Sequence, residues 1–60
     1  MNYVVFVSLD KFDLTKVYWL RKYVSEQGVS WKVEVDRWER RAVFFINEQD
    51  SLNFKKEFKL

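Results

Sequence analysis

Hydrophobic and polar positions divide the chain into segments with different periods. The segment from Tyr3 to Leu9 (YVVFVSL) is β-branched or aromatic at both odd and even positions, which predicts a strand with apolar side chains on both faces. The segment from Val29 to Trp38 (VSWKVEVDRW) alternates, with Trp31, Val33 and Val35 on one face and polar residues on the other. That alternation predicts a second strand with one buried and one solvated face.

Between these strands, Asp13 to Glu26 has the spacing of a helix. One face recurs at i, i+3 and i+7 and consists of Val17, Leu20 and Val24. The side chains expected away from that face are Lys16, Arg21, Lys22 and Ser25. We expect Asp10 or Asp13 to cap the start of the helix and Gly28 to end it in a left-handed conformation.

The segment from Arg41 to Ile46, which is apolar without interruption from Ala42 onward, predicts a third strand at the centre of a sheet. Asn47, followed by Asp50, is expected to cap a last segment from Glu48 to Phe58. That segment is ambiguous, because its apolar residues fit a helix and also share one strand parity. Residues 55–57 (Lys, Lys, Glu) favour the helix.

The order β-α-β-β-α predicts a single α+β domain over residues 1–60. A crossover helix makes strands one and two parallel and leaves room for strand three between them, so the expected sheet order is 1-3-2. This is a truncated ferredoxin-like fold with its helices on one face. Because strands one and three are apolar on both parities, one apolar face is expected to be uncovered.

The two outer strands of such a sheet differ in charge. Strand two carries Lys32, Glu34, Asp36 and Arg37, which discourage edge pairing, whereas strand one has no charge between Tyr3 and Val7. Strand one therefore invites a partner strand, from a second copy of the chain or from another protein.

Composition limits the chemistry. The 60 residues include no Cys and no His, so zinc sites of the usual kinds and histidine-assisted nucleophiles are excluded. We expect no enzyme, metal, cofactor or small-molecule substrate. No segment approaches the ~20 apolar residues of a membrane helix, and the N-terminal residues lack the pattern of a signal peptide. A cytoplasmic protein without membrane contact is expected.

The polar turn between strands two and three holds the strongest binding candidates. Trp38 stands among Arg37, Arg40 and Arg41, and Trp and Arg are enriched at binding hot spots. The alternative is a solvated turn whose arginines pair with Glu39 and Asp36 while Trp38 covers the end of the core. Trp31 is expected in the core, with a partner-anchoring role as its alternative.

Two stretches resemble RNA-recognition-motif domains. Residues 5–9 (VFVSL) are similar to the first-strand motif of that family, and residues 41–46 (RAVFFI) to its third-strand motif. In that family, aromatic side chains on the open sheet face stack on bases. The resemblance implies that Phe6 and one of Phe44 or Phe45 form such a platform. The third strand lacks the glycines of the motif, and no fourth strand is predicted.

The chain is also similar in style to short accessory proteins of T-even-type tailed phages. It is Cys-free and aromatic-rich, its residues 50–58 (DSLNFKKEF) follow a pattern of such small proteins, and Val29 to Trp31 resembles a Val-x-Trp of one phage antitoxin. Members of this class, antitoxins and defence inhibitors among them, commonly bind and block a host protein. The resemblance implies a phage-encoded inhibitor in the host cytoplasm.

Taken together, the patterns predict a small binding protein that inhibits or regulates a protein partner by occlusion. Its expected contact residues are Trp38, Arg37, Arg40, Arg41, Trp31, Phe6 and Phe45. The alternative function is single-stranded RNA or DNA binding by sheet aromatics and arginines. A homodimer through strand one is a further expectation, because self-association would complete the core.

Overall fold

A computed structural model describes residues 2–60 of the chain, with side chains from residue 3 onward. Strand β1 is Asn2–Ser8, β2 is Lys32–Asp36 and β3 is Arg41–Asn47. Helix α1 (Leu14–Trp19) continues as a π-helical segment (Leu20–Val24) and a 3₁₀ turn (Ser25–Gln27), and helix α2 is Glu48–Phe58. The predicted element order, including a helix for the ambiguous last segment, is confirmed.

The sheet has the predicted order β1-β3-β2. Strand β3 pairs antiparallel with both neighbours, so β1 and β2 run parallel and are joined by the crossover helix. Strand β3 is paired along both edges, and its Ala42, Phe44 and Ile46 face the core, whereas Val43 and Phe45 lie on the opposite face and are half-buried. The α+β architecture, with a place beside β1 where a fourth ferredoxin-like strand would lie, is as predicted.

The core lies between one face of the sheet and the helices. Strands β1 and β3 contribute Val5, Val7, Ala42, Phe44 and Ile46, and the helical segments contribute Leu20, Val24 and Phe54. The Phe54 ring lies 5.0 Å from that of Phe44 and 5.8 Å from that of Trp19, between their centroids. This aromatic cluster joins α2 to both α1 and the sheet.

The end of the first helical segment and the start of α2 are as predicted, but the start of α1 differs. Gly28 is left-handed with φ of 74°, and Asn47 caps α2 by accepting the N–H of Asp50 at 2.8 Å. Asp13 occupies the N-cap of α1, yet its side chain makes no capping hydrogen bond and lies 3.4 Å from the Lys16 ammonium. Of the two expected residues, Asp13 is therefore at the N-cap position, but the capping hydrogen bond is absent because its carboxylate pairs with a lysine.

Lys16 was expected away from the core and is buried instead. Its ammonium donates to the backbone oxygen of Lys11 at 2.9 Å and lies 4.9 Å from the ring centroid of Phe58. Long lysine stems can cover apolar surface while the charged end keeps polar partners. Here the carbonyl, Asp13 and the aromatic ring provide those partners.

Strand β2 is shorter than the predicted Val29–Trp38, and its apolar face is less buried. Trp31 precedes it and Trp38 follows it in the turn. Val35, expected in the core, is 53% exposed. The reason is its place on an outer strand, since α2 packs on β1 and β3.

Within residues 2–60, neither helix combines the length and apolar character needed to cross a bilayer.

Candidate functional site

The sheet face opposite the helices is built by three rows of paired residues. Directly paired residues of an antiparallel ladder point to the same side of the sheet. The rows are Val4, Phe45 and Lys32; Phe6, Val43 and Glu34; and Ser8, Arg41 and Asp36. We call these nine residues the open face. The predicted uncovered apolar surface is present, because Val4 and Phe6 are exposed and Val43 and Phe45 only half-buried.

The open face has an apolar side and a charged side. Its apolar patch comprises Val4, Phe6, Val43 and Phe45, on β1 and β3. On β2, the Lys32 ammonium lies 3.2 Å from the Glu34 carboxylate and 4.9 Å from the ring centroid of Phe45. The charged edge of β2 thus borders the apolar patch directly.

Arg41 belongs to the open face and not to the turn. Its guanidinium carbon lies 4.0 Å from the ring centroid of Phe6, a cation–π contact between β3 and β1. Its Nε is 3.5 Å from a carboxylate oxygen of Asp36, but this nitrogen makes no hydrogen bond within the described residues. The guanidinium therefore lies between the Phe6 ring and the Asp36 carboxylate, and its ion pair with Asp36 lacks a hydrogen bond from Nε.

The β2–β3 turn, residues 37–40, forms a projecting tip that we call the hairpin tip. One carboxylate oxygen of Asp36 accepts the N–H groups of both Trp38 and Glu39, each at 3.1 Å, which fixes the start of the turn. Arg40 closes it in a left-handed conformation with φ of 55°. Trp38 is 93% exposed, so the alternative that it covers the end of the core is wrong.

The predicted contact residues fall into separate places. Phe6, Phe45 and Arg41 lie on the open face, and Trp38, Arg37 and Arg40 lie at the hairpin tip. The two places are adjacent, because the N–H of Leu9, just after β1, donates to the backbone oxygen of Arg40 at 3.1 Å. Of the two aromatics that the RNA-recognition-motif resemblance left open, Phe44 is in the core.

Trp31 belongs to neither the open face nor the hairpin tip, although it borders the open face at the start of β2. It packs against the core as expected, and its Nε1 donates to the Ser25 hydroxyl at 2.9 Å. Together with Ser30, Lys32 and Phe45 it lines a shallow groove of about 190 Å³ at the start of β2. Because its indole N–H is already hydrogen-bonded within the chain, we assign Trp31 a role in the fold.

The edge of β1 is free in the part of the chain that the structure describes. The Leu9 to Arg40 hydrogen bond sets the phase of the ladder, in which hydrogen-bonded pairs alternate with non-hydrogen-bonded pairs. Tyr3, Val5 and Val7 therefore bond to β3. The backbone N–H and C=O groups of Val4, Phe6 and Ser8 point away from the sheet.

Sequence reasoning missed that Lys32, Glu34, Asp36 and Arg41 share the face of Phe6 and Phe45. The signal was available in the alternation of β2, because its polar residues must lie on the face opposite its core residues.

Residues 3–60 contain no group of acidic side chains arranged to hold a metal ion. The chain matches no protein-family model, no curated protein and no solved structure.

Proposed function

We propose that the chain is a small non-catalytic binding protein that inhibits or regulates a protein partner by occlusion. The observation that carries this proposal is the uncovered apolar patch on the sheet beside a tryptophan that is 93% exposed. Contiguous apolar surface rimmed by polar residues is typical of interaction sites. An exposed Trp contributes little to the fold but a great deal to an interface that buries it.

Charge defines the kind of partner surface that fits. Arg37 and Arg40 at the hairpin tip form no ion pair within the described residues, whereas Arg41 and Lys32 on the open face are paired with carboxylates. The tip therefore offers two arginines without an ion-pair partner next to Trp38, and with Glu39 its net charge is positive. We infer a partner with an apolar pocket bordered by acidic side chains.

Occlusion is the mechanism proposed, because the contact residues offer hydrophobic area and hydrogen-bond donors rather than reactive groups. The partner's own site would be covered by the hairpin tip and the apolar patch. The similarity in style to phage accessory proteins gives the proposal its specific form, an inhibitor encoded by a phage and acting on a host factor in the host cytoplasm.

The test is quantitative capture from cells of the native host with the full chain as bait. Trp38→Ala and the double substitution Arg37→Ala, Arg40→Ala should each abolish enrichment of the partner. Tyr18→Ala is the matched control, because Tyr18 is an exposed aromatic on α1, on the other side of the sheet. Equal enrichment by all variants would refute the proposal, as would loss with Tyr18→Ala alone.

The alternative is a single-stranded nucleic-acid binder, and one observation favours it: Phe6 and Phe45 are diagonal neighbours on the open face, each with a cation over its ring. Binding of this kind weakens steeply with salt, because each phosphate contact releases counterions. Association through apolar area persists in kosmotropic salt. Titration of a fluorescent oligonucleotide mixture at two salt concentrations decides between them, because only the alternative predicts salt-sensitive binding of that probe.

A further inference from the structure

We propose that the free edge of β1 pairs antiparallel with β1 of a second copy of the chain, making one continuous six-stranded sheet. This goes beyond the proposed function, because it concerns the purified chain alone and does not require the partner. The open face and the hairpin tip remain available in such a dimer, since strand pairing occupies the edge of the sheet and leaves its faces free.

The two outer strands offer different edges to a second copy. Strand β2 presents Lys32, Glu34 and Asp36. Two copies paired through β2 would place like charges opposite each other in some registers and would need each lysine opposite an acidic residue in others. Strand β1 has no charged residue from Asn2 to Ser8. A second copy of β1 therefore meets no charge repulsion at this edge.

The backbone limits the pairing to registers of one parity, and full overlap of the two strands selects one of these registers. Only residues whose N–H and C=O groups point outward can form hydrogen-bonded pairs, and these are Val4, Phe6 and Ser8 on one parity. If Val4 pairs with Phe6 of the second copy, Phe6 pairs with its Val4 by symmetry. The two-fold axis then passes beside Val5, and Asn2–Ser8 overlaps its symmetry mate over its full length.

This register also matches the side chains. Val4 and Phe6 point to the open face and are both exposed. In the proposed dimer, each Phe6 ring lies directly opposite a Val4 of the other copy, and aromatic with β-branched residues is a favourable cross-strand pair. The two apolar patches become one, centred on the two-fold axis. An isologous contact of this kind closes on itself and leaves no free β1 edge for further addition.

Disulfide trapping tests the register, because the chain contains no cysteine of its own. An equimolar mixture of Val4→Cys and Phe6→Cys should form the mixed disulfide, since paired residues lie about 5.5 Å apart between Cα atoms. Each variant alone should cross-link poorly, because its own symmetry mate is a diagonal neighbour about 7–8 Å away. Absence of the mixed disulfide, or its formation no faster than the homodisulfides, would overturn the proposed pairing.

Sedimentation equilibrium tests the dimer without cross-linking. The chain should reach twice its monomer mass as concentration rises, and Phe6→Lys or Val4→Lys should keep it monomeric. Val35→Lys is the matched control, because Val35 and Phe6 are both 53% exposed on outer strands. It should dimerise like the unsubstituted chain, with circular dichroism confirming the fold of every variant. A chain that stays monomeric at its solubility limit, or dimerises equally with all three lysines, would refute the proposal.

Discussion

The guanidinium carbon of Arg41 lies 4.0 Å from the ring centroid of Phe6, so a cation on the central strand covers an aromatic ring on the outer strand. The ring remains 53% exposed, and Asp36 accompanies the cation at 3.5 Å from its Nε. This arrangement keeps polar groups over part of the apolar patch in the isolated chain. A binding partner that covers Phe6 must also accommodate the Arg41–Asp36 pair.

The contact between Arg41 and Phe6 should be measurable as coupling. In a double-mutant cycle with Arg41→Met and Phe6→Leu, we expect an interaction free energy of about 0.5–1 kcal/mol, typical of a solvent-exposed cation–π pair. Urea unfolding of the four proteins gives the value. The control cycle pairs Phe6→Leu with Arg21→Met on the helical side of the sheet, where the effects should simply add. Equal coupling in both cycles would contradict the assigned contact.

Phe54 should be the most costly side chain of α2 to truncate. It is fully buried, with ring centroids of Phe44 and Phe58 each 5.0 Å from its own. We expect Phe54→Ala to lower the free energy of unfolding by about 3–5 kcal/mol, because it leaves a cavity in the core. Leu52→Ala, at an exposed position of the same helix, should cost less than about 0.5 kcal/mol beyond its propensity change. Similar losses for both would be inconsistent with the assigned core.

Asn47 should stabilise the start of α2. Its side-chain oxygen accepts the Asp50 N–H at 2.8 Å, and its amide donates to the Asp50 carboxylate at 2.7 Å. Asn47→Ala is expected to cost about 1 kcal/mol, the usual value for loss of an N-cap. Asn53→Ala, inside the helix and exposed, should instead be neutral or stabilising. Thermal unfolding followed by circular dichroism distinguishes the two, and an equal response of both would contradict the cap.

Two glycine substitutions near the end of α2 should change the free energy of unfolding in opposite directions. Lys59 is left-handed with φ of 54°, and the next N–H, of Leu60, donates to the Lys55 oxygen at 2.9 Å. Because a side chain is strained in this conformation, Lys59→Gly should raise the free energy of unfolding by up to about 1 kcal/mol. Lys56→Gly, one turn earlier in right-handed helix, should lower it by about 1 kcal/mol. Destabilisation by both would show that the helix ends elsewhere in solution.

Sequence patterns predicted the order and topology of the fold because strand period, helix spacing and the crossover favoured one arrangement, although residues 48–58 also fitted a strand. The uninterrupted residues 42–46 placed β3 at the centre, and Gly28 and Asn47 marked the helix ends correctly. Lys16 could not be placed from its charge, because its burial depends on a carbonyl of Lys11 and on the ring of Phe58, which only the folded chain brings near.

The candidate site was predictable in its residue types but not in its grouping. Arg41 follows Arg40 directly in sequence, yet β3 begins at Arg41 and turns its side chain toward Phe6, whereas Arg40 remains in the turn. From the sequence, Trp38 could either cover the end of the core or lie exposed as a binding residue. The hydrogen bonds from the turn to Asp36 hold the turn so that Trp38 is exposed. Val35 was predicted to be buried but is exposed. Alternation shows which face of the strand a residue lies on, but it does not show how much of that face a helix covers.

The central claim is that the apolar patch of the sheet lies uncovered in the isolated chain, and nuclear magnetic resonance with a soluble nitroxide tests it most directly. We predict that the probe strongly broadens the methyl signals of Val4 and Val43 and the ring signals of Phe6, while the methyls of Val5, Val7 and Ala42 remain sharp. Equal protection of Val4, Val43 and Val5 would mean that the chain covers this face itself, and the basis for a docking surface would be gone.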